Sequence, residues 1–265
     1  MSAASFGRPS LASSAPWRLR DRGGSSDAGV RAESGDLPGW ALRAATVTGV
    51  RHRLAGLGND DAFAWRVGAP ALMVAVADGV GSVAGSGSAA ALAVAAAVGP
   101  AADGGGLPAL AAANRAVAER EGATTLVVAV IGADGVVEAT RVGDSSAFVL
   151  DSGRWRECFA MGPGDDDAVV STATVALPSP EPKWEAVAFR LVPGQALILV
   201  TDGVANPLRD GPDTVAPALA AALASPPEAI VLAGMVDFSR QGCHDDRTLL
   251  GIWPRSDAGA SEPSW

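Results

Sequence analysis

Apolar positions in this chain come in short blocks whose period changes from block to block. Residues 62–67 and 71–77 are nearly continuous apolar runs around Gly68 and Pro70, which predicts a buried hairpin. Residues 45–50 read as an earlier strand. Residues 124–131, 136–142 and 147–150 form a later group, with turns at Asp134-Gly135 and Asp151-Ser152-Gly153. Residues 187–191 and 196–200 read as a further strand pair around Pro193-Gly194, and 249–253 as a last strand. Between these blocks, 85–98 and 107–121 have helical character, separated by the breaker run Asp103-Gly104-Gly105-Gly106. Residues 215–224 and 227–240 form a second helical pair. Hairpin-linked strands imply antiparallel sheets, and inserted helix pairs imply helical layers over them. A Rossmann domain is disfavoured, because strands and helices do not alternate singly and no G-x-G-x-x-G opens a helix.

The flanks lack this order. Residues 1–39 are rich in Ser, Gly, Ala, Arg and Asp and read as a disordered N-terminal tail; 256–265 read as a shorter C-terminal tail. That leaves 40–255 as one folded domain. Hydrophobic residues make up 48% of the chain, enough for a sizeable core, although much of that is Ala and Val and there is no Tyr. The formal net charge of -9 argues against nucleic-acid binding, which needs clustered Lys and Arg, and against a membrane-surface role. Cys158 and Cys243 form no C-x-x-C pair and fit a reducing cytoplasm. No apolar run is long enough for a spanning helix, and the N-terminal stretch has no apolar core of a signal sequence. The expectation is a cytoplasmic monomer.

The placement of Asp changes the picture. Asn59-Asp60-Asp61 precedes one apolar strand, and Asp78-Gly79 ends the next. Gly143-Asp144-Ser145 and Thr201-Asp202-Gly203 each follow an apolar run, and His244-Asp245-Asp246 precedes the last strand. A single Asp at a strand end is usually a turn former, satisfying nearby N–H groups, and Asp134 and Asp151 fit that role. Five such boundaries are harder to explain as independent turns. If they converge, their repulsion needs relief, and hard divalent cations with oxygen ligands supply it. A cation-activated water can then attack phosphorus with no Ser, Cys or His nucleophile. Two histidines in the whole chain exclude a His-rich metal site.

In this order the motifs resemble the metal-dependent protein phosphatase family, type 2C, in its bacterial branch. The opening G-x-x-H…G-x-x-N-x-D-A is Gly49, His52, Gly56, Asn59, Asp61 and Ala62. It is followed by Asp78-Gly79, Gly143-Asp144-Ser145, Asp202-Gly203 and Asp245-Asp246-Arg247-Thr248. The resemblance covers about residues 44–254. It implies an α+β, four-layer αββα sandwich of two antiparallel sheets flanked by helix pairs. It also implies a binuclear Mn²⁺ or Mg²⁺ centre hydrolysing phosphoserine and phosphothreonine. On the same basis Asp78 bridges the metals, the Gly79 carbonyl ligates one, Asp202 and Asp245 complete one shell, Asp60 and Asp61 lie beside the second metal, and Asp144 marks a weak third site. The implied partners are phosphorylated proteins, such as substrates of bacterial Ser/Thr kinases.

Three positions depart from the family pattern. Gly56 stands where better-known members carry a phosphate-holding Arg, leaving Arg51, His52 and Arg53 as candidates for that role. Ser146 replaces the usual Arg after Gly-Asp-Ser, and Asn206 replaces an Asp near the third metal, which should weaken it. His52 is also a candidate general acid, against the plainer alternative of a strand-end His bonded to backbone. His244 is expected to orient Asp245. Trp65, Trp184 and Trp253 are expected in the core, and Asp165-Asp166-Asp167 in a solvated loop. Two other functions compete: a pseudo-phosphatase or regulatory binding module with the same fold, and a phosphatase of a small phosphoester.

Overall fold

Most strands of this protein are buried on both faces, and the two faces differ in side-chain size. The computed structural model describes residues 29–68, 71–80, 84–159, 175–210, 215–238 and 244–255. One sheet runs in the order β1 (Val30–Leu37), β2 (Trp40–Val47), β11 (Arg247–Pro254), β10 (Gln195–Val200), β7 (Ser146–Asp151) and β8 (Arg154–Glu157). The other runs β3 (Asp61–Val67), β4 (Ala71–Asp78), β5 (Leu126–Gly132), β6 (Val136–Val142) and β9 (Glu185–Arg190). Every pairing is antiparallel. The helices are α1 (Val50–Ala55), α2 (Ser86–Ala97), α3 (Gly106–Ala118), α4 (Asp202–Arg209), α5 (Ala216–Ala222) and α6 (Ala229–Val236).

Alternation along β4 sorts the layers. Leu72, Val74 and Val76 enter a core shared with Leu42, Phe63, Leu197 and Leu250, which come from both sheets. Met73, Ala75 and Ala77 turn the other way, onto Ala89, Ala90, Ala93 and Ala113 of α2 and α3. On the far side Ala45, Ile198 and Val200 meet Val204, Leu208, Leu219 and Leu232 of α4, α5 and α6. The result is the expected α+β, four-layer αββα arrangement. The abundance of Ala has a physical reason here: small side chains on both partners let α2 lie close on its sheet.

Several elements differ from the sequence reading. Residues 30–37, read as tail, form β1, an edge strand whose Arg31, Glu33 and Asp36 suit an exposed edge. The first strand of the reading, 45–50, spans 40–47 instead, and the chain then turns into α1. Residues 187–191 and 196–200 are not a hairpin: β9 pairs with β6 and β10 with β7 and β11, so the chain crosses between sheets at Pro193-Gly194. The strand β8 and the short helices α1 and α4 have no counterpart in the reading. Trp253 lies in the core under α4, α5 and α6, Trp65 packs against the separate core between the sheets, and Trp184 is half exposed. Residues 1–28, 165–167 and 256–265 and Cys243 lie outside the described residues. No described helix is long and apolar enough to cross a membrane.

Candidate metal centre

Strand register gathers the acidic residues at one end of the sandwich. Asp61 lies opposite Asp78 in the β3–β4 pair. The Thr125 N–H donates to the Asp78 carbonyl at 2.8 Å, and Leu126 pairs with Val142, so Gly143-Asp144 leaves β6 at the same end. Val200 pairs with Ser146 and Leu249, which brings Asp202 and Asp245-Asp246 there from the other sheet. Between them opens a cleft of about 290 Å³. Asp60, Asp78, Asp144, Asp202, Asp245 and Asp246 line it, with Gly79, Thr125, Arg51 and His52.

The backbone of Asp78 is held on both sides. Its N–H donates to Thr125 Oγ1 at 3.1 Å, and its carbonyl accepts from Thr124 Oγ1 at 2.8 Å. Burial pushes its carboxyl well above the usual range, and Asp61, Asp202 and Asp144 push it further. Gly79 follows because nothing larger fits: a Cβ there would sit 2.7 Å from the Ser86 carbonyl carbon and 2.8 Å from the Asp60 oxygen. Asp202 opens α4 just after Thr201, where the helix dipole favours an anion. Burial raises its carboxyl too, with Asp144 adding to the effect, and its Oδ1 is buried with no donor aimed at it.

The paired acids at 60 and 61 divide their work. Asp60 lines the cleft; burial raises its carboxyl, and the Gly87 N–H at the start of α2 offsets part of that rise. Asp61 lies beneath the cleft rather than on it. Its Oδ2 accepts from Thr201 Oγ1 and Thr248 Oγ1, both at 2.8 Å, while its Oδ1 is buried with no partner. Burial raises its carboxyl well above the ordinary value, and Asp246 adds to the rise. Asp61 thus ties both sheets together and adds negative charge behind Asp78.

The remaining candidates separate. Arg51 and His52 line the cleft, and Arg51 Nη2 lies 3.7 Å from Asp245 Oδ1. Arg53 does not join them: it bonds Asp237 on the surface at 3.1 Å. Gly56, in the expected Arg position, ends α1 with a φ of 68°. Asn206 is exposed on α4 and accepts from Arg209 at 3.1 Å, so it adds nothing to the cleft. Ser146 is bound instead to Arg141 and Glu157, at 3.2 and 2.5 Å. His52 is neither at a strand end nor bonded to backbone through Nδ1; it sits on α1 and meets Asp246. His244 is exposed, and its carbonyl accepts from the Arg51 N–H.

Asp246 and Thr125 carry weight that sequence reasoning missed. Asp246 is buried and accepts from the Gly49 N–H and the Asp60 N–H, each at 2.6 Å, and pairs with His52 Nδ1 at 2.9 Å. The available signal was the doubled Asp of Asp245-Asp246, of which only the first was given a role.

The donor set fits hard divalent cations. Carboxylate oxygens converge, two of the nearby buried ones lack donors, and their charges raise one another's proton affinity. Among the described residues no three such side chains are already gathered tightly enough to cage an ion alone.

The family model of protein phosphatase 2C matches residues 48–105 and 107–234, stopping short of Asp245 and Asp246. No curated protein matches the chain. Among solved structures, RsbX in complex with magnesium is similar at 15% identity and a TM-score of 0.61, over 86% of this chain and 100% of RsbX. The serine/threonine phosphatase of S. agalactiae is similar at 16% identity and a TM-score of 0.62, over 82% and 100%. The catalytic domain of the serine/threonine phosphatase PstP, in complex with two manganese ions, reaches 22% and 0.58, over 82% and 100%. At these identities the likeness concerns the fold, while the family model covers most of the chain: this protein belongs to the protein phosphatase 2C family.

Proposed function

We propose that this protein is a metal-dependent phosphatase of phosphoserine and phosphothreonine in proteins, including substrates of bacterial Ser/Thr kinases. The observation that carries the reading is the convergence of Asp60, Asp78, Asp144, Asp202 and Asp245 on one cleft. A cluster of mutually repelling, partly buried carboxylates costs the fold stability, and a function that needs the charge accounts for its presence. Asp78, the Gly79 carbonyl, Asp202 and Asp245 would hold one or both of two Mn²⁺ or Mg²⁺ ions, and Asp60 would serve the second from the α2 side. Asp144 stands near enough to raise the carboxyls of Asp78 and Asp202 and would assist. Bound ions would supply an activated water and polarise the phosphoryl oxygens.

The chain's own groups do the rest. Thr124 and Thr125 fix the Asp78 backbone at the edge of the cleft. Arg51 is the cationic side chain at the cleft mouth, half exposed and only loosely tied to Asp245, and it would take the substrate phosphate in place of the missing Arg at 56. A point of contact on exposed Arg costs little to rearrange, since such surface pairs are worth about 1 kcal/mol or less. The test is hydrolysis of phosphopeptides beside p-nitrophenyl phosphate, with Mn²⁺ and with chelator. Mn²⁺-dependent turnover of both is expected. Turnover of neither favours a binding module, and turnover of the small ester alone favours a small-molecule phosphatase.

A further inference from the structure

We infer that the loop at 53–58 is a docking surface for the phosphoprotein, where Leu54 and Leu57 receive an apolar side chain next to the phosphorylated serine or threonine. The inference deepens the phosphatase reading and rests on it for the identity of the partner. The path of the chain places the loop: Arg51 and His52 line the cleft before it, and Asp60 lines the cleft after it. The residues between leave the cleft edge and return to it, and all of 53–58 are exposed. Leu54 is 85% exposed, the most of any large apolar side chain among the described residues, and Leu57 is 54% exposed. A lone exposed Leu is ordinary. Two on one loop that starts and ends at a cleft extend that cleft with an apolar surface.

The loop is held in shape without covering its leucines. α1 ends at Gly56, whose φ is 68°. The Gly56 N–H donates to the Arg53 carbonyl at 3.3 Å, and the Leu57 N–H to the His52 carbonyl at 2.9 Å. In such a helix end the apolar side chain after the glycine commonly packs back on the helix; Leu57 is left half exposed instead. Arg53 ties the helix to Asp237 at 3.1 Å, and Asn59 Nδ2 donates to Thr46 Oγ1 at 2.8 Å. A Cβ built at Gly56 or Gly58 would meet nothing within 4 Å, so the space around the turn is open. A preorganised surface loses little ordering entropy when a partner docks. Charge and spacing define that partner. No acidic residue lies in 51–59, although the chain as a whole carries a net charge of -9. Arg51 and Leu54 are three residues apart on α1 and share a face, with about 5–6 Å between their Cβ atoms. An extended peptide advances about 3.3–3.6 Å per residue. An apolar side chain within about two positions of the phosphorylated residue therefore reaches Leu54 while the phosphate lies by Arg51.

The test compares two phosphoserine peptides in Mn²⁺, one with Leu at the two positions on each side of phosphoserine and one with Ser there. Wild type should favour the Leu-flanked peptide about 10-fold in kcat/KM, through KM, the scale of covering most of one Leu side chain. The double variant Leu54→Ser/Leu57→Ser should lose that preference, Leu54→Met/Leu57→Met should keep it, and p-nitrophenyl phosphate turnover should be the same in all three. Equal kcat/KM on both peptides in wild type, or a preference that survives in the Ser variant, overturns the docking surface. A lower KM for both peptides in the Ser variant would assign the leucines to a covering segment of this chain and overturn it as well. So would sedimentation showing a wild-type dimer that the Ser variant turns into monomer. Calorimetric binding of the non-hydrolysable phosphonate analogues of both peptides separates the two readings. Leu-dependent binding that the Ser variant loses, with no turnover, removes the phosphatase reading and keeps the docking surface. Turnover with no dependence on Leu does the reverse, and neither turnover nor binding removes both.

Discussion

The two ends of the sandwich use the same residue in opposite physical states. At one end Asp134 and Asp151 turn the chain between paired strands. Asp134 accepts from the Val136 N–H at 3.1 Å, and Asp151 accepts from Ser152 Oγ at 3.0 Å and Gln195 Nε2 at 2.9 Å. Both are exposed, and the bonds from Gln195 and Ser152 hold the Asp151 carboxyl below its usual value. At the other end Asp61, Asp78 and Asp202 are partly or wholly buried, crowd one another and are raised. A turn needs one solvated carboxylate; a cation site needs several unsolvated ones. The contrast teaches that burial and crowded neighbours, rather than the strand-end position, set these two groups of Asp apart.

The sharpest break of that contrast is Asp78→Asn. It keeps shape while removing the charge at the centre of the cleft. Activity should fall by a factor on the order of a hundred or more, the scale of losing a major electrostatic contribution. Metal-free melting should be unchanged or higher, because one repelling charge is gone. Phosphopeptide turnover and thermal melting in chelator check the two parts, and normal turnover would make Asp78 a turn residue like Asp134.

Next in size is Gly203→Ala. A Cβ there would overlap the Asp246 carbonyl and press on Arg247. Overpacking at a rigid site costs about 1–3 kcal/mol, so a clear drop in denaturant midpoint is expected, checked by urea unfolding. An unchanged midpoint would mean that β11 and α4 pack more loosely than the structure shows.

The pH dependence of metal-free stability should differ in sign between the two ends. Asp61 and Asp78 have folded values raised above an unfolded value of about 3.9. The folded state therefore binds more protons, and their contribution is present in full below that unfolded value and lost as pH rises through the folded ones. Asp151, held low, contributes in the opposite direction, favouring the fold above its unfolded value and less as pH falls. Chelator-treated protein should lose stability as pH is raised from about 4, and Asp78→Asn should flatten the profile. A wild-type profile that rises over the same interval would contradict the raised carboxyls.

The smallest effects should come from the turn end. Asp134→Asn and Asp151→Asn, exposed and replaceable by another side-chain acceptor, should leave the melting temperature nearly unchanged and turnover intact. A loss of activity in either, measured on phosphopeptide, would erase the distinction between the ends.

Much of this was legible in the chain itself. Continuous apolar blocks gave β3, β4, β5, β6, β10 and β11, and the breaker run at 103–106 separated α2 from α3. Asp78, Asp202 and Asp245 stood out because Asp rarely ends so many buried strands. What escaped lacked an apolar pattern. β1 is a polar edge strand, α1 is a single short helix inside a motif, and α4 contains Gly203 and Pro207, which argue against a helix in sequence. The pairing of β9 and β10 with different sheets is a long-range fact that a local turn signal cannot carry. Asp246 was hidden because its partners, Gly49, His52 and Asp60, lie some two hundred residues away in the chain.

The most direct measurement is calorimetric titration of the metal-free protein with Mn²⁺, run on wild type, Asp78→Asn and Asp134→Asn. Convergent carboxylates predict two Mn²⁺ ions bound per wild-type chain, the same for Asp134→Asn, and strongly weakened binding for Asp78→Asn, with the Mn²⁺-induced rise in melting temperature shrinking in parallel. Absence of binding in the wild type, or binding that Asp78→Asn leaves unchanged, would contradict the account at its centre.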